Sequence, residues 1–423
     1  MIRRLEILHY KAFKYIDIQL EPFQIIVGPN ASGKSTFFDT ICLIHDILRE
    51  GPQNAIQKRV SHFKELLWRK EGEQFEIALQ IKIPEEIQKQ LKDDEYNTVR
   101  YEMSLHSDTI NGISIQDENL WLIKKGSENI HRNGKKERDE DLFPQELKAP
   151  DHIVVSRRKK TPPGWRKVIS KNAPGSGYFK SETTEWNIIY KIGPYKASLA
   201  GTPEDEERFP VSLWLKNVLM EGIQFLQLNS NNMRVSCRPD VPISFQTDGS
   251  NLPKVIQNLK EKNPKAFTLW LEHIQSALPE VQDIQIRERM EDRFLYLSII
   301  HKNGLELPSW VISDGTLRIL AQTIIPYLSE KDKIYMIEEP ENGLHPLAIE
   351  CIYQSLSSVY KSQVFLATHS PAILNLAELK EILCFSKTES GCIDVIKGIN
   401  HPKLKDWREK VDIASLHAAG VLQ

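Results

Sequence analysis

The sequence predicts an α/β protein with a mainly parallel sheet, and three observations lead to this fold class. A glycine-rich phosphate-loop motif occupies residues 28–35, between an apolar run of strand length and an apolar helical run. A second apolar run, 333–337, ends in consecutive acidic residues, and a third, 363–367, ends in a turn that contains a histidine. Functional side chains that follow successive buried strands are typical of the carboxyl edge of a parallel sheet.

The composition sets the broad class of the protein. The chain has 423 residues, enough for two or three domains or for one large domain with an insertion. Its content of 40% hydrophobic and 26% charged residues is ordinary for a soluble protein, and its net charge of −2 neither demands nor excludes nucleic acid. The five cysteines form no C-x-x-C pair, and no apolar run is long enough to span a bilayer. We therefore expect a cytoplasmic protein without a membrane contact.

The phosphate loop has the residue types that triphosphate binding requires at this spacing. Its glycines let successive backbone N–H groups face phosphate oxygens, and the following helix adds its positive N-terminal end. The lysine neutralises the β- and γ-phosphates, and the hydroxyl of the next residue is a ligand for Mg²⁺. We predict that the chain binds a nucleoside triphosphate with Mg²⁺, the latter through Ser35. The predicted nucleotide-binding residues are Gly28, Pro29, Asn30, Ala31, Ser32, Gly33, Lys34, Ser35 and Thr36.

The segment before the loop alternates like strands at residues 2–8 and 15–20, and we expect these strands to belong to an antiparallel N-terminal sheet. Lys11 lies between the two runs. A turn at this place in a nucleotide-binding lobe can bring Lys11 near the phosphates, but a solvated lysine between strands explains the sequence equally well.

The middle of the chain differs in character from both flanks. We divide the chain into residues 1–123, which carry the phosphate loop, a polar and basic insertion at 124–222, and residues 223–423. The insertion contains a basic cluster that either contacts DNA, with a tryptophan available for stacking, or is a solvated loop paired with nearby acids. We slightly favour the solvated loop. The residues concerned are Arg157, Arg158, Lys159, Lys160 and Trp165.

The apolar run 333–337 delivers Glu338 and Glu339 at its end. This pair suits Mg-nucleotide chemistry, since one acid can hold the metal and the next can polarise the attacking water. We assign the metal to Glu338 and the water to Glu339. His369 follows the run 363–367, at what we expect to be the same sheet edge, where it can sense the γ-phosphate.

Four segments taken together resemble the motifs of ATP-binding-cassette-type ATPases of the RecF/SMC-like branch. The stand-alone prokaryotic group of "predicted AAA ATPases", which includes ATPases of anti-phage systems, is the most similar within that branch. The matching segments cover the first ~45 residues and most of 223–423. They are the phosphate loop at 27–36, ISDGTLR at 312–318, IEEPENGLHP at 337–346 and THSP at 368–371.

The resemblance implies an ATPase head with a helical lobe that carries the signature. ATP is then held between two protomers, because Ser313 and Gly315 of one copy contact the γ-phosphate bound to the other. Residues 342–344 correspond to the D-loop. The chain departs from the usual pattern at Glu338, where an Asp is common, in the S-D-G-T signature, and at His345, where many cassettes carry an Asp. We could assign no Q-loop glutamine beyond the unsupported candidates Gln74 and Gln80.

These features lead us to expect an ATP-driven switch that is an Mg-dependent ATPase. It would control DNA engagement or a separately encoded effector, such as a nuclease, in an anti-phage system. The stretch after His369 is too short for a nuclease domain of its own. A RecF-like repair ATPase is the alternative. We consider a transporter motor less favoured, because of the insertion and the unusual signature, and a non-hydrolysing scaffold less favoured, because Lys34 and Glu339 are present.

Overall fold

The computed structural model describes residues 1–108, 112–128, 148–155, 161–172, 176–388 and 390–401. The described strands are β1 Ile2–Tyr10, β2 Phe13–Gln19, β3 Phe23–Val27, β4 Gln74–Lys82, β5 Tyr96–Asp108, β6 Gly112–Lys124, β7 Trp165–Asn172, β8 Ser176–Lys180, β9 Asn187–Lys191, β10 Ile223–Leu226, β11 Val281–Glu288, β12 Leu295–His301, β13 Glu306–Pro308, β14 Ile334–Glu338, β15 Gln363–Ala367, β16 Ile382–Lys387 and β17 Ile393–Lys397. The described α-helices are α1 Lys34–Glu50, α2 Pro52–Gln57, α3 Glu85–Gln88, α4 Pro210–Glu221, α5 Ser230–Arg234, α6 Leu252–Lys262, α7 Pro264–Ala277, α8 Asp314–Thr323, α9 Pro346–Ser357 and α10 Pro371–Leu376.

A six-stranded sheet forms the centre of the molecule, with the strand order β10-β14-β15-β3-β16-β17. Every neighbouring pair is parallel except the last, β16 with β17. Strands β3 and β15 are buried along their whole length, as expected when both faces of a parallel sheet are covered. This arrangement confirms the predicted mainly parallel sheet, and it brings the carboxyl ends of β3, β14 and β15 to one edge.

An eight-stranded antiparallel sheet lies in the N-terminal half, with the order β2-β1-β4-β5-β6-β7-β8-β9. It confirms the predicted N-terminal antiparallel sheet. Its last three strands come from the range 124–222, which we predicted to be a polar and basic insertion. The range contributes an edge to this sheet, because β7 pairs along β6 and the β8–β9 hairpin adds to β7. Helix α4 lies at the end of the same range.

Helix α1 separates the two large sheets. Its buried side chains, which include Phe37, Phe38 and Ile41, share one hydrophobic core with the antiparallel sheet and with one face of the central sheet. Met336 and Phe365 belong to that face. A second core lies on the other face and joins the central sheet to the helices α6–α9. The alternation of side chains along β14 explains how one strand serves both cores.

A helical lobe with its own three-stranded antiparallel sheet, β11-β12-β13, covers this second face. Helix α8 begins in the lobe at the segment that resembles a signature. Helix α9 follows the acidic turn, which comprises residues 339–345 after β14. Strands β11 and β12 of this small sheet pair along their length. We call residues 368–370, which follow β15, the histidine turn. The fold therefore brings the phosphate loop, the acidic turn, the histidine turn and the start of α8 together around one edge of the central sheet.

Candidate active site

The phosphate loop connects β3 to α1 in a conformation that only glycine satisfies at two places. Gly33 is the N-cap of α1 with φ +95°, and a Cβ atom there would lie 2.8 Å from the ring of Phe13. A Cβ atom on Gly28 would lie 2.4 Å from the carbonyl oxygen of Phe385. Any larger residue would force the loop away from the sheet. The two glycines therefore fix how closely the loop packs.

A cavity of about 380 Å³ lies in front of this loop. It collects residues from the phosphate loop, from α1, and from the ends of β14 and β15, which the parallel sheet brings together from distant parts of the sequence. The residues that line it are Ala12, Asn30, Ala31, Ser32, Gly33, Lys34, Ser35, Thr36, Glu338, Glu339, Ala367 and His369. Most of the residues predicted to bind nucleotide, metal and water thus surround one space.

Lys34 is the cation at the centre of this cavity. Its Nζ donates to the carbonyl oxygens of Gly28 at 2.6 Å and of Pro29 at 2.9 Å. Burial lowers the pKa of Lys34 below its usual 10.5, and the carboxylates of Glu338 and Glu339 act in the opposite direction. Since the ordinary value is so high, the ammonium remains a suitable partner for phosphate oxygens at neutral pH.

Ser35 and Glu338 form the part of the cavity that suits a divalent cation. The Ser35 hydroxyl donates to Glu338 Oε1 at 2.8 Å, although the two residues lie on different elements. A hydroxyl and a carboxylate oxygen at this distance fit Mg²⁺, which prefers oxygen ligands and usually keeps several waters and substrate phosphates in its shell. Within the described ranges, no cluster of three or more His, Cys, Asp or Glu side chains forms a metal cage.

Glu339 has an unusual backbone conformation, with φ +47°. Its N–H donates to the carbonyl oxygen of Ala367 at 2.8 Å, and its carboxylate accepts a hydrogen bond from the side-chain amide of Asn342. A non-glycine residue at positive φ costs about 1–3 kcal/mol and is frequent at functional sites. The turn after β14 therefore directs the second acid into the cavity at a conformational cost.

His369 is held by the turn after β15 and by Glu341. Glu341 Oε1 accepts hydrogen bonds from Thr368 Oγ1 at 2.6 Å and from the His369 N–H at 3.3 Å. Burial lowers the pKa of His369 below its usual 6.5, and the charge of Lys34 lowers it further. The carboxylates of Glu339 and Glu341 oppose this shift. The imidazole is therefore neutral at physiological pH and can donate or accept a hydrogen bond.

The start of α8 lies outside this cavity. Ser313 is exposed and is the N-cap of α8, since its hydroxyl accepts from the Thr316 N–H at 3.2 Å. Gly315 packs so closely on the turn after β14 that a Cβ atom would lie 3.0 Å from the Gly343 carbonyl oxygen. Arg234 steadies this helix start by donating to the Ile312 carbonyl oxygen at 3.0 Å. The exposed N-terminus of α8 thus presents a hydroxyl and backbone N–H groups to solvent.

A family model described as "AAA domain, putative AbiEii toxin, Type IV TA system" matches residues 23–375. The chain belongs to this family. The match includes the phosphate loop, the start of α8, the acidic turn and the histidine turn. A comparison with curated proteins finds no match.

Solved structures of SMC heads share the fold of this AAA-family chain. An SMC head bound to the C-winged helix domain of ScpA has a TM-score of 0.51 at 14% identity, covering 93% of this chain and 97% of that one. An SMC head with an extended coiled coil, bound to the C-terminal domain of ScpA and derived from Pyrococcus furiosus, has a TM-score of 0.50 at 12% identity, covering 97% and 99%. These matches show that the chain has the fold of SMC heads, in agreement with the fold predicted from the sequence motifs.

Lys11 contacts helix α1 of this AAA-family fold. Its Nζ lies 2.6 Å from Asp39 Oδ2, and the same carboxylate accepts from Tyr10 and from Arg59. Its neighbour Ala12 lines the cavity. Because Asp39 neutralises Lys11 within the chain, a contact between Lys11 and the phosphates stays a prediction.

A second cavity, of about 510 Å³, lies beside the acidic turn and contains a glutamine that we did not identify from the sequence. Gln227 follows β10, which runs parallel to β14, and it lines this cavity together with Glu338, Glu339 and Arg318. Gln74 and Gln80 lie on β4 of the antiparallel sheet. The signal that could have indicated this position is the short, mainly apolar stretch 223–226 directly before Gln227.

The tryptophan of the basic cluster is not available for stacking. Trp165 is only 7% exposed, packs on Trp121 and donates from its indole nitrogen to the Ser127 carbonyl oxygen at 2.8 Å. The prediction of a stacking role for Trp165 is therefore wrong, because β7 pairs with β6 and buries the ring. The four cations at 157–160 lie outside the described residues.

No helix within the described ranges has both the length and the apolar character needed to cross a membrane.

Proposed function

We propose that the chain is an ATP-dependent molecular switch that binds and hydrolyses Mg-ATP between two copies of itself. The observation that carries this proposal is the separation of two half-sites. Lys34, Glu339 and His369 surround one cavity, whereas Ser313 and Gly315 lie on an exposed helix start outside it. A second copy, placed head to tail, would bring its own Ser313 to the phosphates bound by the first.

Each residue of the cavity has a chemical task in this mechanism. The backbone N–H groups of the phosphate loop and Lys34 bind the β- and γ-phosphates and stabilise the charge that develops on them. Ser35 and Glu338 hold Mg²⁺, which, when bound, polarises the phosphate oxygens. Glu339 accepts a proton from the attacking water. The neutral His369 orients that water or the γ-phosphate by a hydrogen bond.

Closure of the dimer depends on the γ-phosphate. Contacts from Ser313 and Gly315 exist only in the closed dimer, so ATP stabilises that state and hydrolysis removes the stabilisation. We also propose that Gln227 is the Q-loop glutamine, since it lies at the end of β10 beside Glu338. From there it can respond to the presence of the metal and the γ-phosphate.

The switch would act on a separately encoded effector, such as a nuclease, in an anti-phage defence system of the cytoplasm. The family description, which names a toxin of a toxin–antitoxin system, supports a role in which one protein controls a harmful activity. Engagement of DNA through the cations at 157–160 remains the alternative to a solvated loop, and the salt dependence of DNA binding distinguishes the two.

The substitution Ser313→Arg tests the shared site. We expect it to lower the rate of ATP hydrolysis at least about a hundredfold, while a fluorescent ATP analogue still binds to the phosphate loop. Ser276→Arg is the matched control, because Ser276 is an exposed serine on α7 of the same lobe. If Ser313→Arg hydrolyses ATP like the parent, the shared site does not exist.

A further inference from the structure

Gln322 is a buried amide near the end of α8, the helix that begins at Ser313. It is 1% exposed, and its Nε2 donates to the carbonyl oxygen of Pro340 at 3.1 Å. Its Oε1 is buried and, among the described residues, accepts no hydrogen bond. Leaving a buried polar atom unpaired is unfavourable, and an apolar side chain of the same size would avoid that cost. The amide therefore does more than fill space.

The acceptor of this hydrogen bond belongs to the turn that carries the proposed base. Pro340 directly follows Glu339, whose N–H is fixed to Ala367. The next residue, Glu341, is bonded to the Thr368 hydroxyl and to the His369 N–H. The short segment 339–341 is thus hydrogen-bonded on one side to helix α8 and on the other to the histidine turn.

Helix α8 contacts the acidic turn at two places along its length. Near its start, Gly315 approaches the Gly343 carbonyl oxygen. About 10 Å further along the helix, at 1.5 Å per residue, Gln322 bonds to Pro340. A helix is stiff over this length, so a shift of its exposed start also moves the amide that holds the acidic turn.

We infer that Gln322 is a positioning residue that couples the two ATP sites of the dimer. This inference rests on the proposed function. When Ser313 of one protomer contacts the ATP bound to its partner, helix α8 sets the acidic turn of its own protomer, and with it Glu339 and His369. Each site is then fully active only when the other holds ATP, and the coupling is reciprocal for binding.

Gln322→Met tests this role, because it keeps the length of the side chain and removes the hydrogen bond to Pro340. We expect the kcat for ATP to fall about tenfold or more, since a small misplacement of a catalytic group costs that much. The KM for ATP should stay within about twofold. When Gln322→Met is combined with Glu339→Gln, ATP-dependent dimerisation should be retained.

Thr323→Val is the matched control on the same helix. Thr323 is equally buried, but its hydroxyl accepts a hydrogen bond from the Trp270 indole nitrogen at 3.1 Å and does not reach the acidic turn. We expect this variant to lose thermal stability and to keep kcat within about twofold. If Gln322→Met destabilises the fold, Gln322→Asn replaces it, because its shorter amide cannot reach Pro340.

The inference is overturned if the Gln322 variants keep the kcat of the parent, or if Thr323→Val lowers kcat as much as they do. It is also overturned if the combined Gln322→Met and Glu339→Gln variant no longer dimerises with ATP. Ser313→Arg, measured in parallel, separates this failure from a failure of the proposed function. A Ser313→Arg protein with full activity refutes the shared site. An inactive Ser313→Arg together with a fully active Gln322→Met refutes only the coupling.

Discussion

Glu339→Gln removes the proton acceptor and changes little else. The amide has the same length as the carboxylate and keeps an oxygen for the bond from Asn342, and the backbone bond to Ala367 does not involve the side chain. We therefore expect the free energy of unfolding to change by about 1 kcal/mol or less. The backbone at residue 339 already has φ +47°, and a glutamine adopts this conformation at a similar cost.

The expected loss is in the chemical step. General-base catalysis contributes about 10²–10⁴ in rate, which corresponds to about 3–5 kcal/mol of activation free energy. At saturating Mg-ATP, release of inorganic phosphate should fall by this factor, while binding of ATP is retained. Glu350→Gln is the control, because Glu350 is exposed on α9 away from the cavity. If Glu339→Gln hydrolyses ATP within tenfold of the parent, Glu339 is not the base.

Three further predictions concern the metal, the pH and the basic cluster. Glu338→Gln should raise the Mg²⁺ concentration for half-maximal hydrolysis about tenfold or more, with the rate recovered at high Mg²⁺; an unchanged Mg²⁺ dependence would remove Glu338 from the metal site. Because the pKa of His369 is lowered, its imidazole is neutral above pH 6.5, so hydrolysis should be level from pH 8 to 6.5 and fall only at lower pH. His369→Gln should abolish that acid-side fall, and its persistence would assign it to another group. Reversal of the charges at 157–160 should weaken DNA binding. The slope of the logarithm of the binding constant against the logarithm of the salt concentration should become shallower by about 0.9 for each lost phosphate contact. Equal binding of DNA by the variant and the parent would favour the solvated loop.

The central sheet could be predicted from the sequence because its strands are continuous apolar runs. The runs 23–27, 333–337 and 363–367 are each followed by a segment with a chemical task, and parallel pairing places those segments at one edge. A local signal also explains where α8 begins, since Ser313 is a good N-cap. At these positions, local sequence and tertiary structure agree.

The strands β7–β9 were missed because their signal is weak. Residues 187–191 alternate between exposed and half-buried positions at the edge of the sheet, and glycine- and proline-rich stretches interrupt the range before them. The first of these strands, β7, pairs with β6, which ends some 40 residues earlier in the sequence, and no local pattern indicates this pairing. The burial of Trp165 follows from that pairing, so its role could not be judged before the register was known.

The contacts around the acidic turn also could not be predicted from the sequence. Gln322, Pro340 and Thr368 lie on three separate elements, and only the packing of α8 against β14 and β15 brings them together. In the same way, the ion pair between Lys11 and Asp39 joins the first turn to α1 and explains why a lysine near the phosphate loop need not face it.

The molecular mass of Glu339→Gln in solution, measured with and without Mg-ATP, tests the central claim most directly. The claim is that two copies share each ATP. We predict a monomer without nucleotide, a dimer with Mg-ATP, and a monomer under both conditions when Ser313→Arg is added. A Glu339→Gln protein that binds ATP and stays monomeric, or a dimer that Ser313→Arg leaves intact, would contradict the account.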